Sequence, residues 1–315
     1  MSPAPRPCRA WSAGLALAAL ALGACTSSRS SDGGARAGVV RTEELPARER
    51  AVWEAWQKGG GRWELVREDV RRDPELTQFL VDNLVRTLVK SYDLSHLASV
   101  GQAHGPFERA ADELVQFGTA ATPVLVELLA VRDGIVAFLA GDVLARIGAP
   151  AVVPCRALLD DTEPETRRRA AELLGRLPHA GKDEVAVQET LAARVRTDPE
   201  WIVRAEAARA LGNRGARHDH KGFALGVLGR ALGDPDAAVL QSACAGLVAL
   251  GERRAVPALA RALRPASQRG DLKGLEAVQA ALRALTGVQR SQTPEEWLAW
   301  YDAHPPPPVK ALEGG

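Results

Sequence analysis

Four acidic turns, beginning at Asp161, Asp198, Asp234 and Asp271, stand 37, 36 and 37 residues apart. Between them runs the same sentence of residue types: an Ala/Leu-rich amphipathic stretch, a break at Gly or Pro, then a second, shorter apolar stretch. A period of this length restricts the chain to a stacked array, because one such unit cannot bury its apolar face without a neighbour. The predicted fold is all-α, an α-solenoid of antiparallel helix pairs. Glycines at 148, 175, 212, 251 and 287 are expected to close the first helix of each pair, where a left-handed residue satisfies orphan carbonyls. The Asp-Pro openings at Asp198-Pro199 and Asp234-Pro235 predict Asp as cap and Pro at the first helical position. Two units depart from the pattern. The one starting at Asp133 is short, and GNRGARHDHKG (212–222) predicts a long loop between helices.

Ala, Leu and Val do the packing, since 46% of the chain is hydrophobic while only 7 Trp, 5 Phe and 2 Tyr are aromatic. The rings gather outside the repeats. Trp53, Trp56, Trp63, Phe79, Tyr92 and Phe107 precede them, and Trp297, Trp300 and Tyr301 follow. Terminal units must cover a face with no further neighbour, so these rings read as caps, with an aromatic ligand site at either end as the second reading. Leu76, Phe79, Leu80, Leu84 and Leu88 predict a helix over 74–90. KGGGR (58–62) reads as a linker, and the four prolines at 305–308 stop the last helix.

The first residues read as an address. Arg6 and Arg9 form a positive segment, and 11–24 carries no charge before Cys25, too short a run to span a membrane. Leu22-Gly23-Ala24-Cys25 resembles the lipobox of bacterial lipoproteins. The resemblance implies removal of residues 1–24, diacylglyceryl attachment at Cys25 and, with Thr26 following, outer-membrane delivery facing the periplasm where an outer membrane exists. Residues 25–40 read as a tether. The domain reading is then a helical cap region at 41–106, a repeat array at 107–290, a capping helix at 291–304 and a tail at 305–315.

IGAPAVVPCRALLDD (147–161), WIVRAEAARALGNRG (201–215) and LGERRAVPALARALRPA (250–266) resemble HEAT repeats, of the short bacterial kind related to phycobilisome-lyase HEAT-like repeats. LTGVQRSQTPEEWLAWYDAH (285–304) is similar to the segment that closes such arrays. The HEAT-like deoxyhypusine hydroxylases bind two irons through repeated His-Glu pairs, but no histidine here is followed by glutamate. The resemblance reaches the repeat framework alone, and a fold does not confer an activity.

Little chemistry is visible. The one clustered histidine pair, His218 and His220 around Asp219, reads as a solvated loop, since a metal wants three or four donors from a rigid frame. No G-x-S-x-G, P-loop or HExxH pattern occurs, and GKDE (181–184) lacks the lead of a phosphate loop. No catalytic residue, metal site or cofactor is expected. An enzyme or enzyme subunit, with His218 and Asp219 as its candidates, is one alternative, and a purely structural envelope protein is another. Cys155 and Cys244 read as small core residues.

Charge is more informative. The chain has 40 Lys+Arg and 39 Asp+Glu, which disfavours a nucleic-acid-coating function. Residues 200–290 hold 14 basic and 8 acidic side chains, whereas 41–133 hold 12 and 16. Arg156, Arg194, Arg230 and Arg261 occupy the same position of successive second helices. The HEAT resemblance places second helices on the concave surface, so the four would form a ladder there. The expected function is a lipid-anchored scaffold or assembly factor that binds a protein partner through this face, with an acidic segment or an anionic glycan as the matching chemistry.

Overall fold

The computed structural model describes residues 45–91, 105–217, 221–289 and 292–307. They form α-helices and short 3-10 turns, with no strand among the described residues. The helices are α1 (Ala47–Lys58), α2 (Gly61–Arg72), α3 (Pro74–Ser91), α4 (Pro106–Phe117), α5 (Thr122–Leu129), α6 (Gly134–Ile147), α7 (Ala149–Ala157) and α8 (Pro164–Arg176). They continue with α9 (Glu184–Thr197), α10 (Trp201–Arg217), α11 (Lys221–Ala231), α12 (Ala237–Leu250), α13 (Val256–Gln268), α14 (Leu272–Thr286) and α15 (Pro294–Ala303). From α4 onward they make six first-helix/second-helix pairs, the architecture of an all-α solenoid. The chain divides into two compact units after Pro154, inside α7.

In the first unit, α3 follows the predicted span and buries Leu76, Leu80, Leu84 and Leu88 on one stripe. It packs on α4, and α6 packs on α4 and α5. Trp53 and Trp56 stack at 4.8 Å within α1 and are buried, with Arg109 over the Trp56 ring. The indole Nε1 of buried Trp63 donates to Glu113 (2.9 Å), whose other oxygen pairs with Arg67 at 2.7 Å. The glycines of KGGGR break α1 from α2, Gly59 and Gly60 taking φ of 67° and 73°. The Asp133 carboxylate caps α6 through the amides of Ile135 and Val136, so this unit has a full first helix. Its brevity comes from a one-residue connection, Gly148, and from the short α7.

In the second unit the first helices α8, α10, α12 and α14 pack in sequence order, and α9, α11, α13 and α15 follow as the second layer. The glycines divide into two kinds here. Gly251 and Gly287 end α12 and α14 at φ 67° and 78°, as Gly148 ends α6 at 82°. Gly175 and Gly212, expected as caps, instead lie inside α8 and α10. A Cβ on Gly212 would sit 2.3 Å from the Cα of Gly246, and one on Gly175 would sit 3.0 Å from the Cα of Ala210. These glycines are where neighbouring first helices touch backbone to backbone.

The long loop expected over 212–222 is also corrected. Helix α10 runs on to Arg217 and α11 starts at Lys221. Within this stretch Arg214 is fully buried and ties α10 to the end of α8 and the start of α9. It donates to Leu174 O (2.6 Å), Leu177 O (3.3 Å) and Pro178 O (3.2 Å), and to both carboxylate oxygens of buried Glu184. The Asp-Pro openings differ as well. Pro199 and Pro235 stand before α10 and α12 rather than at their first positions. Asp198 and Asp234 accept only the amide two residues on, from Glu200 (3.1 Å) and Asp236 (2.9 Å), and Asp236 caps α12. Their remaining acceptor capacity goes elsewhere.

Candidate functional site

Arg167 Nε and Nη2 donate to the two oxygens of Asp198, each at 2.8 Å, while Nη1 donates to Asp161 O and Thr162 O. Arg204 repeats every one of these contacts one unit later. It binds Asp234 at 2.9 and 3.0 Å, and Asp198 O and Pro199 O at 3.0 and 3.2 Å. Each arginine therefore holds its own entry turn and the carboxylate of the next unit in a bidentate fork. Burial pushes the Asp198 carboxyl up, but the Arg167 hydrogen bonds, the Glu200 amide and the charges of Arg167 and Arg194 bring it below the ordinary range. The series ends at α12, where buried Leu240 stands six residues after Asp234, the place held by Arg167 and Arg204 in their units. Of the four acidic turns that mark the period, those at Asp198 and Asp234 are thus clamps between units, while Asp271 caps α14 by accepting from the amide of Gly274 at 2.8 Å.

The second-helix arginines occupy the expected elements: Arg156 on α7, Arg194 on α9, Arg230 on α11 and Arg261 on α13. Val256, Leu259 and Leu263 are buried and Arg261 is exposed, as the helical spacing requires. Arg230 is also exposed, and Arg156 is half-buried. The four are not equivalent. Arg194 Nη2 donates to Asp160 at 2.6 Å and Nη1 lies 3.6 Å from Asp198, so it braces the first clamp from the side. Arg156, Arg230 and Arg261 form no ion pair among the described residues.

Other candidates separate cleanly. Cys155 and Cys244 are free and buried, and burial pushes both thiols up to about 12, which removes the thiolate needed for nucleophilic or metal chemistry. GKDE forms one 3-10 turn leading into α9, and the amide of Ala180 donates to Glu184 at 3.0 Å. Among the described residues no three His, Cys, Asp or Glu side chains group as metal ligands, and no helix is long and apolar enough to cross a membrane. Cys25, His218, Asp219 and His220 lie outside the described residues.

The stacked helix pairs agree with the family comparison, which matches HEAT repeats over 122–212 and 188–276. Residues 122–276 are HEAT repeats. The pairs α6/α7 through α12/α13 fall within that span. No curated protein matches the chain. Among solved structures, an engineered protein from a structural genomics consortium aligns over 78% of this chain and 100% of its own, with 20% identity and a TM-score of 0.39.

Two features of the HEAT units are absent from the sequence expectations. The Arg167 and Arg204 clamps had a signal that could have found them, an arginine six residues after the acidic turn in two successive units. The Arg214–Glu184 pair, 30 residues apart, had none.

Proposed function

We propose that this chain is a lipid-anchored scaffold or assembly factor of the cell envelope, which binds a protein partner through the arginines of its second helices. What carries the reading is the contrast between Arg167, Arg204 and Arg214 on first helices and Arg230 and Arg261 on second helices. Arginines that serve the fold are locked into forks, while Arg230 and Arg261 stand exposed with no carboxylate partner among the described residues. Exposed guanidinium groups at one position of successive helices suit an acidic segment, since each can hold a carboxylate bidentately. An anionic glycan would use the same groups.

The anchor is supported by the arginines at 6 and 9, the uncharged run at 11–24 and the residues leading into Cys25. Incorporation of labelled lipid that stops in Cys25→Ala is the expected outcome; incorporation that persists would remove the anchor. For the binding face, Arg230→Glu with Arg261→Glu is the informative pair, because Arg194 also holds Asp160 and reversing it would damage the fold. Crosslinking and mass spectrometry in the native cell should lose specific partners in the double variant. An unchanged set of partners, with helicity retained, would overturn the assignment. Stoichiometric metal in the purified protein would favour an enzyme instead.

A further inference from the structure

We infer that the outer face of α11 seats an acidic α-helix of the protein partner, lying along α11 at backbone contact distance; this rests on the proposed binding face and specifies what that face receives. Gly175, Gly212 and Gly246 show what a helical glycine does in this array. Each is buried and faces the backbone of an adjacent first helix.

On α11 the same residue type has no such neighbour. The sequence KGFALGVLGRA places Gly222, Gly226 and Gly229 four and three residues apart, within about 60° of one another on the helix and opposite buried Ala224, Val227, Leu228 and Ala231. Gly222 and Gly226 are exposed, and no described residue comes within 4 Å of a Cβ on either. Glycine is the poorest helix former after proline, so on a solvated face it weakens α11 with nothing inside the chain to offset the loss. Close approach of a second backbone is the use that remains open.

A helix is the element that can take that place. Its amides and carbonyls are bonded internally, so it can press on the bare backbone of α11 without stranding polar groups. An extended segment would bring unpaired donors and acceptors against a face that offers none. The incoming helix needs small residues along its contact stripe for the same reason, since side-chain size sets how near two helix axes come.

Charge selects which helix. Neither α11 nor α13 contains Asp or Glu. Lys221 lies 3.8 Å from Glu252 and Arg264 lies 2.7 Å from Glu295, which leaves Arg230 and Arg261 without ion pairs among the described residues. Both stand at one end of the stripe. Arg230 follows Gly229 directly, and a Cβ on Gly229 would lie 3.7 Å from the Cβ of Ala258, three residues before Arg261 on α13. At the other end, exposed Phe223 shares a shallow depression with Glu189 of α9, so partner carboxylates are favoured beside Gly229 and disfavoured beside Gly222. The matching segment is a helix with one face of small residues, flanked at one end by Asp or Glu that the two guanidinium groups can hold.

The test uses the full chain and a synthetic probe, a capped alanine-based helical peptide with an unbroken alanine face and two glutamates flanking it at one end. In nuclear magnetic resonance titrations it should shift the backbone amides of Gly222, Gly226 and Gly229. The same peptide with lysines in place of the glutamates should bind at least tenfold more weakly. The glutamate peptide should lose at least tenfold on Gly226→Leu, whose side chain fills the stripe from the solvent side, while thermal melts show that variant at least as stable as the parent. Equal binding of the lysine peptide, unchanged binding by Gly226→Leu, a Gly226→Leu that melts below the parent, or no shifts at the three glycines would each overturn the seat. Partners lost from the native cell in Arg230→Glu with Arg261→Glu but kept in Gly226→Leu would remove the helix and leave the binding face. Partners unchanged in the double variant, with the peptide still bound by the parent chain, would remove the scaffold reading and leave the seat.

Discussion

Within residues 155–315, the two helix layers solve opposite problems. First helices α8, α10 and α12 approach until Gly212 faces Gly246 and Gly175 faces Ala210, and their arginines turn inward to Asp198, Asp234 and Glu184. Second helices α9, α11 and α13 leave Arg230, Arg261, Val185 and Phe223 in solvent. Arg167, Arg204 and Arg214 of the first layer hold units together, with Arg194 of α9 bracing Asp198 beside them, whereas Arg230 and Arg261 form no ion pair among the described residues. The difference separates residues of the same type: Arg214 and Arg261 are both helical arginines, but only the first has carbonyls and a carboxylate arranged around it.

Removing Arg214 is the most damaging way to test that division. Arg214→Met leaves Glu184 buried with its partner gone, and breaking a buried pair from one side costs about 3–5 kcal/mol. Urea denaturation should show a loss of that size, with an unfolded chain at the upper end. A loss under 1 kcal/mol would mean the pair holds nothing together. Acid attacks the same pair. Burial raises the Glu184 carboxyl, but Arg214, the Ala180 amide and Gln188 outweigh it and hold it at about 2, against 4.5 for the ordinary group. A depressed carboxyl stabilises the fold fully above its unfolded pKa and loses that contribution as pH falls through the folded one. Stability should therefore decline between about pH 4.5 and 2, by about 3 kcal/mol from this residue. In Glu184→Gln that part of the acid slope should disappear.

The glycine seam comes next in size. In Gly212→Ala the new methyl meets backbone, which cannot rotate away, so the expected cost is about 1–3 kcal/mol or more. Gly226 on α11 has nothing within 4 Å of a Cβ, so Gly226→Ala should stabilise by about 0.5–1 kcal/mol through helix propensity and a stiffer unfolded chain. Thermal melts of the two variants should move in opposite directions. Movement in the same direction would erase the distinction between a touching layer and an open one.

Much of this organisation was legible beforehand. The 37-residue period gave the paired helices, and the leucine spacing placed α3 within a residue of its observed end. The capping box joining Thr293 and Glu296 at α15 is equally readable as T-x-x-E. What failed was the reading of Gly175 and Gly212. A glycine at the end of an apolar run looks the same whether it turns the chain or admits a neighbour, and only the residue facing it in the next unit, Ala210 for Gly175 and Gly246 for Gly212, decides. Asp198 and Asp234 failed similarly, because capping and clamping need the same carboxylate. The orientation of Gln188 had no local signal at all: its amide donates to Glu184, and Glu184 is fixed by an arginine 30 residues away.

The smallest expected effect bears most directly on function. Arg230→Ala and Arg261→Ala remove exposed side chains without ion pairs among the described residues, so each should change stability by no more than about 0.5 kcal/mol. Arg204→Ala, which strips Asp234 of its bidentate partner, should cost more, about 1–3 kcal/mol. Urea midpoints measured side by side decide the matter. If all three variants lose stability alike, the second-helix arginines are structural and the binding face must be sought elsewhere. If Arg230 and Arg261 are free of structural work, two charged side chains remain at corresponding positions of adjacent units with no folding role, and loss of partner capture in those same variants would then report binding rather than unfolding.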